Sequence, residues 1–340
     1  MKFSRKFKIG TRNVGGGAPV LIIAEAGVAH FGDIVLAREL VAMAEIAKAD
    51  IFKIQIFDVD ALIARTEYDW RERLRPRSLS LDQVLELKEL AVAGGMQFMA
   101  TAHDESRLEW LQMLNVPAIK IGSGERGNTG FVKKLAGLGK PLIISTGMYG
   151  VADVKRTLAA CFSEGCRDVA LLHCVTAYPT PPHDVNLAAM DTLRQLYNGP
   201  VGYSDHTTNF LTCYAAVARG AEIIEKHITI LRNVPNAQDW KVSAGPEDFS
   251  RFVMDIRHIE QLIGKGKKQL APSEAQAEFW ALKSIVAVRD LPKGKALESS
   301  DLAVKRPGGG IPPYELEGIL GMRLKRALTT DEKLKYDDLA

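Results

Sequence analysis

Short apolar runs recur along the chain, and each is followed by a stretch in which apolar residues return every three or four positions. The runs are VLIIAEAG (20–27), IFKIQIF (51–57), QFMATA (97–102), AIKIGSG (118–124), LIISTGM (142–148), VALLHC (169–174), VGYSDH (201–206) and IIEKHI (223–228). Segments such as DIVLARELVAMAEIAKA, VADVKRTLAACFSEG and GPEDFSRFVMDIRHIEQLIG lie between and after them, several ending in Gly as helices often do. Strand and helix alternating eight times predict an α/β fold in which a parallel sheet closes into a (β/α)₈ TIM barrel. An open doubly wound sheet is the rival. It calls for a Gly-rich turn after the first strand, where this chain has AEAGVAHFGD, with Glu25 and His30 in place of glycines.

The pattern changes after the eighth helix. GKGKKQLAPSEAQAEFW (264–280) is a charged, Gly- and Pro-containing crossing, and the remaining residues alternate short strands with turns. The expected organisation is a barrel over 1–265, a linker over 266–280 and a small second domain over 281–340. A chain of 340 residues suits that division.

Composition narrows the function classes. With 46% hydrophobic and 25% charged residues the chain reads as soluble and globular, and a net charge of +3, dispersed, argues against nucleic acid. MKFSRKFKIG lacks the apolar run and cleavage site of a secretory leader, and no apolar stretch approaches the roughly 20 residues of a membrane span. A cytoplasmic location is expected. Cys161, Cys166, Cys174 and Cys213 form no CxxC pair, which favours buried thiols over a disulfide framework or a zinc knot.

In such a barrel, polar residues at the C-terminal ends of strands face the active-site mouth. The strand ends supply Glu25, Lys53, Gln55, Thr101, Lys120, Ser123, Glu125, Ser145, Thr146, His173, Thr176, Tyr178, Ser204, Asp205, His206, Glu225, Lys226 and His227. Lys53 and Lys120 interrupt apolar strands, and lysine is costly to bury alone. Two ammonium groups in one mouth call for an anion, with serine and threonine hydroxyls as further donors. The alternative is internal bridging to Glu25, Glu125 or Glu225. His206 and His227 end successive strands, an arrangement that suits a divalent metal such as Mn²⁺, Zn²⁺ or Fe²⁺, against the alternative of hydrogen-bonded core histidines. The Pro-rich stretch TAYPTPPHDVNL (176–187) makes Tyr178 a candidate for shaping a polar pocket.

Taken in order, IIAEAGVAHFGD, FKIQIF, IKIGSGE, LIISTGM, LLHCVTAYPTP, VGYSDHT and IIEKHIT closely resemble the N-acetylneuraminate (sialic acid) synthase family and its relatives making other nonulosonic acids. The resemblance implies a metal-dependent condensation of phosphoenolpyruvate with the open-chain aldehyde of an N-acylated hexosamine, N-acetylmannosamine or a related diacetamido-hexose, with release of phosphate. Matched motif by motif, Lys53, Lys120, Ser123, Ser145 and Ser204 fall on phosphoenolpyruvate-binding positions, with Gln55 and Thr101 lining the same pocket. His206 and His227 fall on the metal ligands, with Mn²⁺ the expected ion and Mg²⁺ or Co²⁺ as alternatives. Glu25, Glu225 and Tyr178 fall around the sugar and the reacting carbons, so that Glu25, Glu225, His206 and His227 form the implied catalytic set. Asp239 matches the sugar-binding aspartate.

The tail resembles the antifreeze-protein-like (SAF-type) domain that ends these synthases. In the family that domain reaches across a homodimer, swapped onto the partner's barrel, and delivers an arginine to the N-acyl group; Arg306 in VKRPGGGI matches it. Several positions depart from the family pattern. Ala29 replaces an asparagine, LRNVPNAQDWKVS carries an extra residue before Asp239, Thr176 stands where some members have asparagine, and ATAHDES replaces the more usual Thr-Pro-Phe. These changes are expected to cluster around the acceptor, which would then differ from N-acetylmannosamine. The rivals are a metal-dependent aldolase using pyruvate, another phosphoenolpyruvate-using barrel enzyme with a different acceptor, and a non-catalytic or ice-interacting binding protein.

Overall fold

A computed structural model describes residues 1–264 and 266–340. The chain begins with an antiparallel hairpin, β1 (Lys6–Ile9) and β2 (Arg12–Gly15), turning at Gly10. Gly10 has a φ of 58°, and the Gln97 side chain occupies the space a Cβ would need. Phe7, Ile9 and Val14 of the hairpin are buried in one cluster with Leu21, Ile23, Ile51, Met99, Ala118, Ile143, Ala170, Leu172 and Ile223 from the barrel strands. The hairpin therefore packs its apolar face into the core enclosed by those strands.

The eight strands follow the apolar runs closely: β3 (Leu21–Gly27), β4 (Ile51–Ile56), β5 (Gln97–Ala102), β6 (Ile119–Ile121), β7 (Leu142–Ser145), β8 (Val169–Cys174), β9 (Val201–Asp205) and β10 (Ile223–His227). They are parallel and close as β10-β3-β4-β5-β6-β7-β8-β9. Near-continuous burial explains why these segments read as solid apolar runs rather than alternating ones.

Register sets the site. His227 pairs with Glu25, Glu25 with Lys53, Gln55 with Thr101, Thr101 with Lys120, Cys174 with Ser204, and Ser204 with Glu225. Paired residues share a face, so all of these polar groups lie on the inner face of the barrel.

Helices α1 (Ile34–Ile46), α2 (Val59–Leu62), α3 (Tyr68–Leu74), α4 (Leu81–Ala93), α5 (Leu108–Met113), α6 (Thr129–Gly137), α7 (Val151–Ser163), α8 (Ala189–Leu196), α9 (Leu211–Ala218) and α10 (Phe249–Ile263) complete this unit. Local sequence fixes their starts. Asp33 caps α1 by accepting from Val35 N at 2.8 Å, and Ser80 with Gln83 forms a capping box on α4. Between β4 and α4 the chain inserts α2 and α3, which periodicity did not predict. None of the described helices is long and apolar enough to cross a membrane.

The chain divides into two compact units, Met1–Gly264 and Lys265–Ala340. The expected boundary residue, Lys265, lies outside the described residues. The second unit contains α11 (Ala275–Ala281), which lies in the segment expected to be linker except for its last residue, and an antiparallel pair, β11 (Ser284–Ala287) and β12 (Leu302–Lys305). Its own core gathers Ile285, Leu291, Leu297, Ile311, Leu324, Leu328 and Leu334. Arg306 follows β12 directly and is exposed.

Candidate active site

A cavity of about 540 Å³ opens at the C-terminal ends of the barrel strands. It is lined by Glu25, Lys53, Gln55, Thr101, Lys120, Ser123, Ser145, Tyr178, Ser204, His206, Glu225, His227 and Asp239, all the barrel residues that the family resemblance placed in the site.

Deep in the cavity two lysines meet two carboxylates. Lys53 Nζ lies 2.6 Å from Glu25 Oε2 and 3.5 Å from Glu225 Oε2, and donates to Thr101 Oγ1 at 3.2 Å. Lys120 Nζ donates to Ser145 Oγ at 2.7 Å and to the Ile121 carbonyl at 3.2 Å, and faces Glu225 Oε1 at 3.6 Å. The bridging reading of the lysines is thus present, with Glu25 and Glu225, not Glu125, as the partners. Each ammonium keeps one direction filled only by a long contact to Glu225. Ser204 Oγ donates to the same carboxylate at 2.8 Å.

The charges follow from this packing. Burial opposes ionisation of Glu225, but Lys120 and Lys53 outweigh it and hold its pKa at about 2. Burial likewise opposes the charge on Lys53, which Glu225 and Glu25 overcome, raising its pKa; at Lys120 burial prevails and the pKa falls. Glu25 accepts from Gln55 Nε2 at 3.0 Å. That arrangement leans on Gly27, with φ 56°, where a Cβ would press within 3.3 Å of both groups.

On the opposite side of Glu25 stand the imidazoles. His206 and His227 have ring centroids 5.4 Å apart, and Tyr178 stacks over His206 at 4.1 Å. His206 Nδ1 lies 2.7 Å from the Val175 carbonyl, which only accepts, so Nδ1 carries the proton and Nε2 presents its lone pair, met at 2.9 Å by the Tyr178 hydroxyl. Burial, with His227 next, lowers the His206 pKa to about 4, keeping the ring neutral as a metal ligand must be. A ligating histidine typically fixes its other nitrogen on a carbonyl in this way. His227 Nδ1 is buried without a partner. The pair therefore fits a divalent ion. Among the described residues no third His, Cys, Asp or Glu joins them, so water or substrate oxygens would complete the shell.

Five strand-end residues expected at the mouth lie elsewhere. Asp205 and Lys226 pair with each other at 2.5 Å, and Tyr203 and Thr207 also bond Asp205. They alternate with the inward Ser204 and Glu225 and so take the opposite face. For the same reason His173, neighbour of the inward Cys174, bonds the Val185 carbonyl at 2.7 Å. Thr146 bonds the Leu172 carbonyl at 2.9 Å, and Glu125 accepts from Asn128.

Sequence reasoning missed His103, Cys174, Trp70, Arg73, Arg77, Asn236 and Gln238, all of which line the cavity. Two of the family departures, His103 and Thr176, lie at the lysine end of the cavity. A Cβ at Gly122 would contact both His103 and Thr101, and one at Gly147 would collide with Thr176 and Ser123. Ala29 is buried and does not line the cavity.

The mouth of the closed barrel thus gathers two ammonium groups, two carboxylates and a pair of imidazoles in one cavity. Relatives place the chain more narrowly. Residues 40–268 match the NeuB family and residues 283–340 the SAF domain, and the chain belongs to the NeuB family. It is 38% identical over 347 residues to the N,N'-diacetyllegionaminic acid synthase of Legionella pneumophila, covering 97% of both chains. It is 34% identical to human N-acetylneuraminate-9-phosphate synthase, covering 95% of this chain and 92% of that one. Among solved structures, the N-acetylneuraminic acid synthetase of Leptospira borgpetersenii superposes with a TM-score of 0.75 at 33% identity, over 81% of this chain and 96% of that one. The chain is thus an enzyme of the sialic and nonulosonic acid synthase type.

Proposed function

We propose that the chain condenses phosphoenolpyruvate with the open-chain aldehyde of an N-acylated hexosamine, N-acetylmannosamine or a diacetamido-hexose, to give a nonulosonic acid and phosphate. The observation that carries the reading is the pair Lys53 and Lys120, facing one carboxylate at 3.5 and 3.6 Å with spare donor capacity. An anion of higher charge competes for those directions, and Ser123, Ser145, Ser204 and Thr101 add hydroxyl donors around it.

The roles follow from position. Lys53 and Lys120 hold the carboxylate and phosphate, orienting carbon three toward the aldehyde and removing the entropic cost of the encounter. Positive charge then grows at carbon two, where Glu225, kept ionised by both lysines, provides a fixed negative partner. Glu25, aimed by Gln55 and Lys53, is the carboxylate placed to accept a proton from the water that adds there. Loss of phosphate from carbon two leaves the keto acid. His206 and His227 would hold a divalent ion, Mn²⁺ in first place and Mg²⁺ or Co²⁺ next, which supplies Lewis acidity to the aldehyde oxygen. Tyr178 and Asp239 face the acceptor. The family resemblance supports a homodimer in which Arg306 of a second copy meets the N-acyl group.

The test is phosphate release by the purified protein with Mn²⁺, phosphoenolpyruvate and a panel of N-acylated hexoses. Release that requires both substrates is expected. Turnover of pyruvate in place of phosphoenolpyruvate would instead make the protein an aldolase.

A further inference from the structure

The lysine end of the cavity holds a side chain that this reaction scheme leaves idle. His103 follows Thr101 by two residues, the inward parity of β5, and lines the cavity. A Cβ at Gly122 would lie 3.8 Å from His103 Cε1 and 4.0 Å from Thr101 Cγ2, which sets the ring beside the turn carrying Ser123 and the threonine bonded to Lys53. The His103 amide donates to the Ile56 carbonyl at 3.1 Å, anchoring the residue. The residue is half-buried, and no other side chain or backbone group among the described residues bonds its ring.

The groups that bear on the ring are Lys53 from β4, Lys120 from β6 and, from its own loop, Asp104. The Asp104 carboxylate is engaged elsewhere, accepting from Asp58 N at 2.7 Å and Ser106 N at 2.9 Å. Burial first, then the two ammonium groups, depress the His103 pKa to about 4. A half-buried imidazole that no protein group bonds, facing two ammonium groups, gains little where it stands. It becomes favourable once an anion arrives. Lys53 and Lys120 are already balanced by Glu25 and Glu225, so a bound phosphate ester, carrying roughly two negative charges on its phosphate alone, leaves an excess of negative charge at the lysine end that a protonated His103 would offset.

We propose that His103 binds the phosphate of the three-carbon substrate, donating to it alongside Lys53 and Lys120 and taking up a proton as the dianion enters. The inference rests on the phosphoenolpyruvate reading above and adds a specific phosphate ligand to it.

The test is calorimetric titration of the full-length protein with phosphoenolpyruvate and, separately, with inorganic phosphate at pH 6, in buffers of differing ionisation enthalpy. His103→Phe is expected to weaken both ligands about tenfold, the worth of one hydrogen bond to a charged group. His103→Gln, which keeps a donor, should lose threefold or less. Wild type should take up a larger fraction of a proton on binding than either variant, whose residue 103 does not titrate. The KM for the sugar should be unchanged. Equal affinities and equal proton uptake in wild type and variants would overturn the proposal; should the Phe variant fail to fold, proton uptake by the Gln variant decides alone. Failure of the wild type to bind phosphoenolpyruvate would instead refute the underlying reading.

Discussion

His206 donates its Nδ1–H to the Val175 carbonyl at 2.7 Å, and that bond commits the other ring nitrogen to act as an electron-pair donor toward the cavity. His206→Ala should therefore abolish tight Mn²⁺ binding, read by electron paramagnetic resonance, and lower turnover by about 10³ or more, since Lewis-acid assistance is worth several kcal/mol. Phosphoenolpyruvate affinity should stay within about threefold, because Lys53 and Lys120 are untouched. Chelation of wild type should reproduce the loss and added Mn²⁺ should reverse it. Full turnover in the alanine variant would remove the metal from the mechanism.

Lys120 illustrates the anion side. Its ammonium bonds Ser145 and the Ile121 carbonyl and faces Glu225. Lys120→Met keeps the buried stem and deletes the charge. We expect a 10- to 100-fold rise in the dissociation constant for phosphoenolpyruvate, roughly the value of a charge-assisted contact, with Mn²⁺ affinity unchanged. Equal weakening of both ligands would mean the substitution had disordered the whole mouth.

Much of this was legible in the chain because a parallel barrel writes its strands as solid apolar runs, where a lone Lys53 or Lys120 stands out. Which of two adjacent polar residues faces inward was less legible. Ser204 and Asp205, or Glu225 and Lys226, look alike in sequence, and only the pairing of Asp205 with Lys226 shows that those two satisfy each other on the opposite face. The available signal was parity: counting by twos from Lys53 gives Gln55, from Thr101 gives His103, and from Ser204 gives His206. The hairpin β1–β2 escaped notice because its buried residues, Phe7, Ile9 and Val14, are scattered among charged ones and find their apolar partners only once the barrel has closed. Arg73 and Arg77 escaped because α3 and the turn after it carry many charges, and nothing local distinguishes those facing the cavity.

Stability should depend on pH through His30. The ring is buried, accepts from Gly32 N at 3.0 Å, and is held by burial at a pKa of about 4 against the ordinary 6.5, a hydrogen bond with the Gly27 backbone opposing. Because the folded value lies below the unfolded one, this contribution is complete above pH 6.5, declines as pH falls toward 4 and is flat below. Its full size is up to about 3 kcal/mol. Chemical denaturation between pH 7 and 4 should show a shallower loss for His30→Asn, which keeps an acceptor for Gly32 without a titrating ring. An identical slope would assign the acid sensitivity to other groups.

Arg77 anchors the side of the cavity that Asp239 lines. Its Nη2 donates to the Asn236 carbonyl at 3.1 Å and its guanidinium lies over Phe31, so it ties the segment after β4 to the loop that carries Asp239. Burial lowers its pKa, and Asp239 offsets part of that cost. Arg77→Met preserves much of the contact with Phe31 but removes every donor, freeing the Asn236–Asp239 segment. The sugar KM should rise about tenfold while the phosphoenolpyruvate KM changes less than twofold, since the lysine pair is held by other strands. Initial-rate kinetics with each substrate varied in turn would show the split. A parallel rise in both constants would mean that Arg77 supports the barrel mouth as a whole and does not select the sugar.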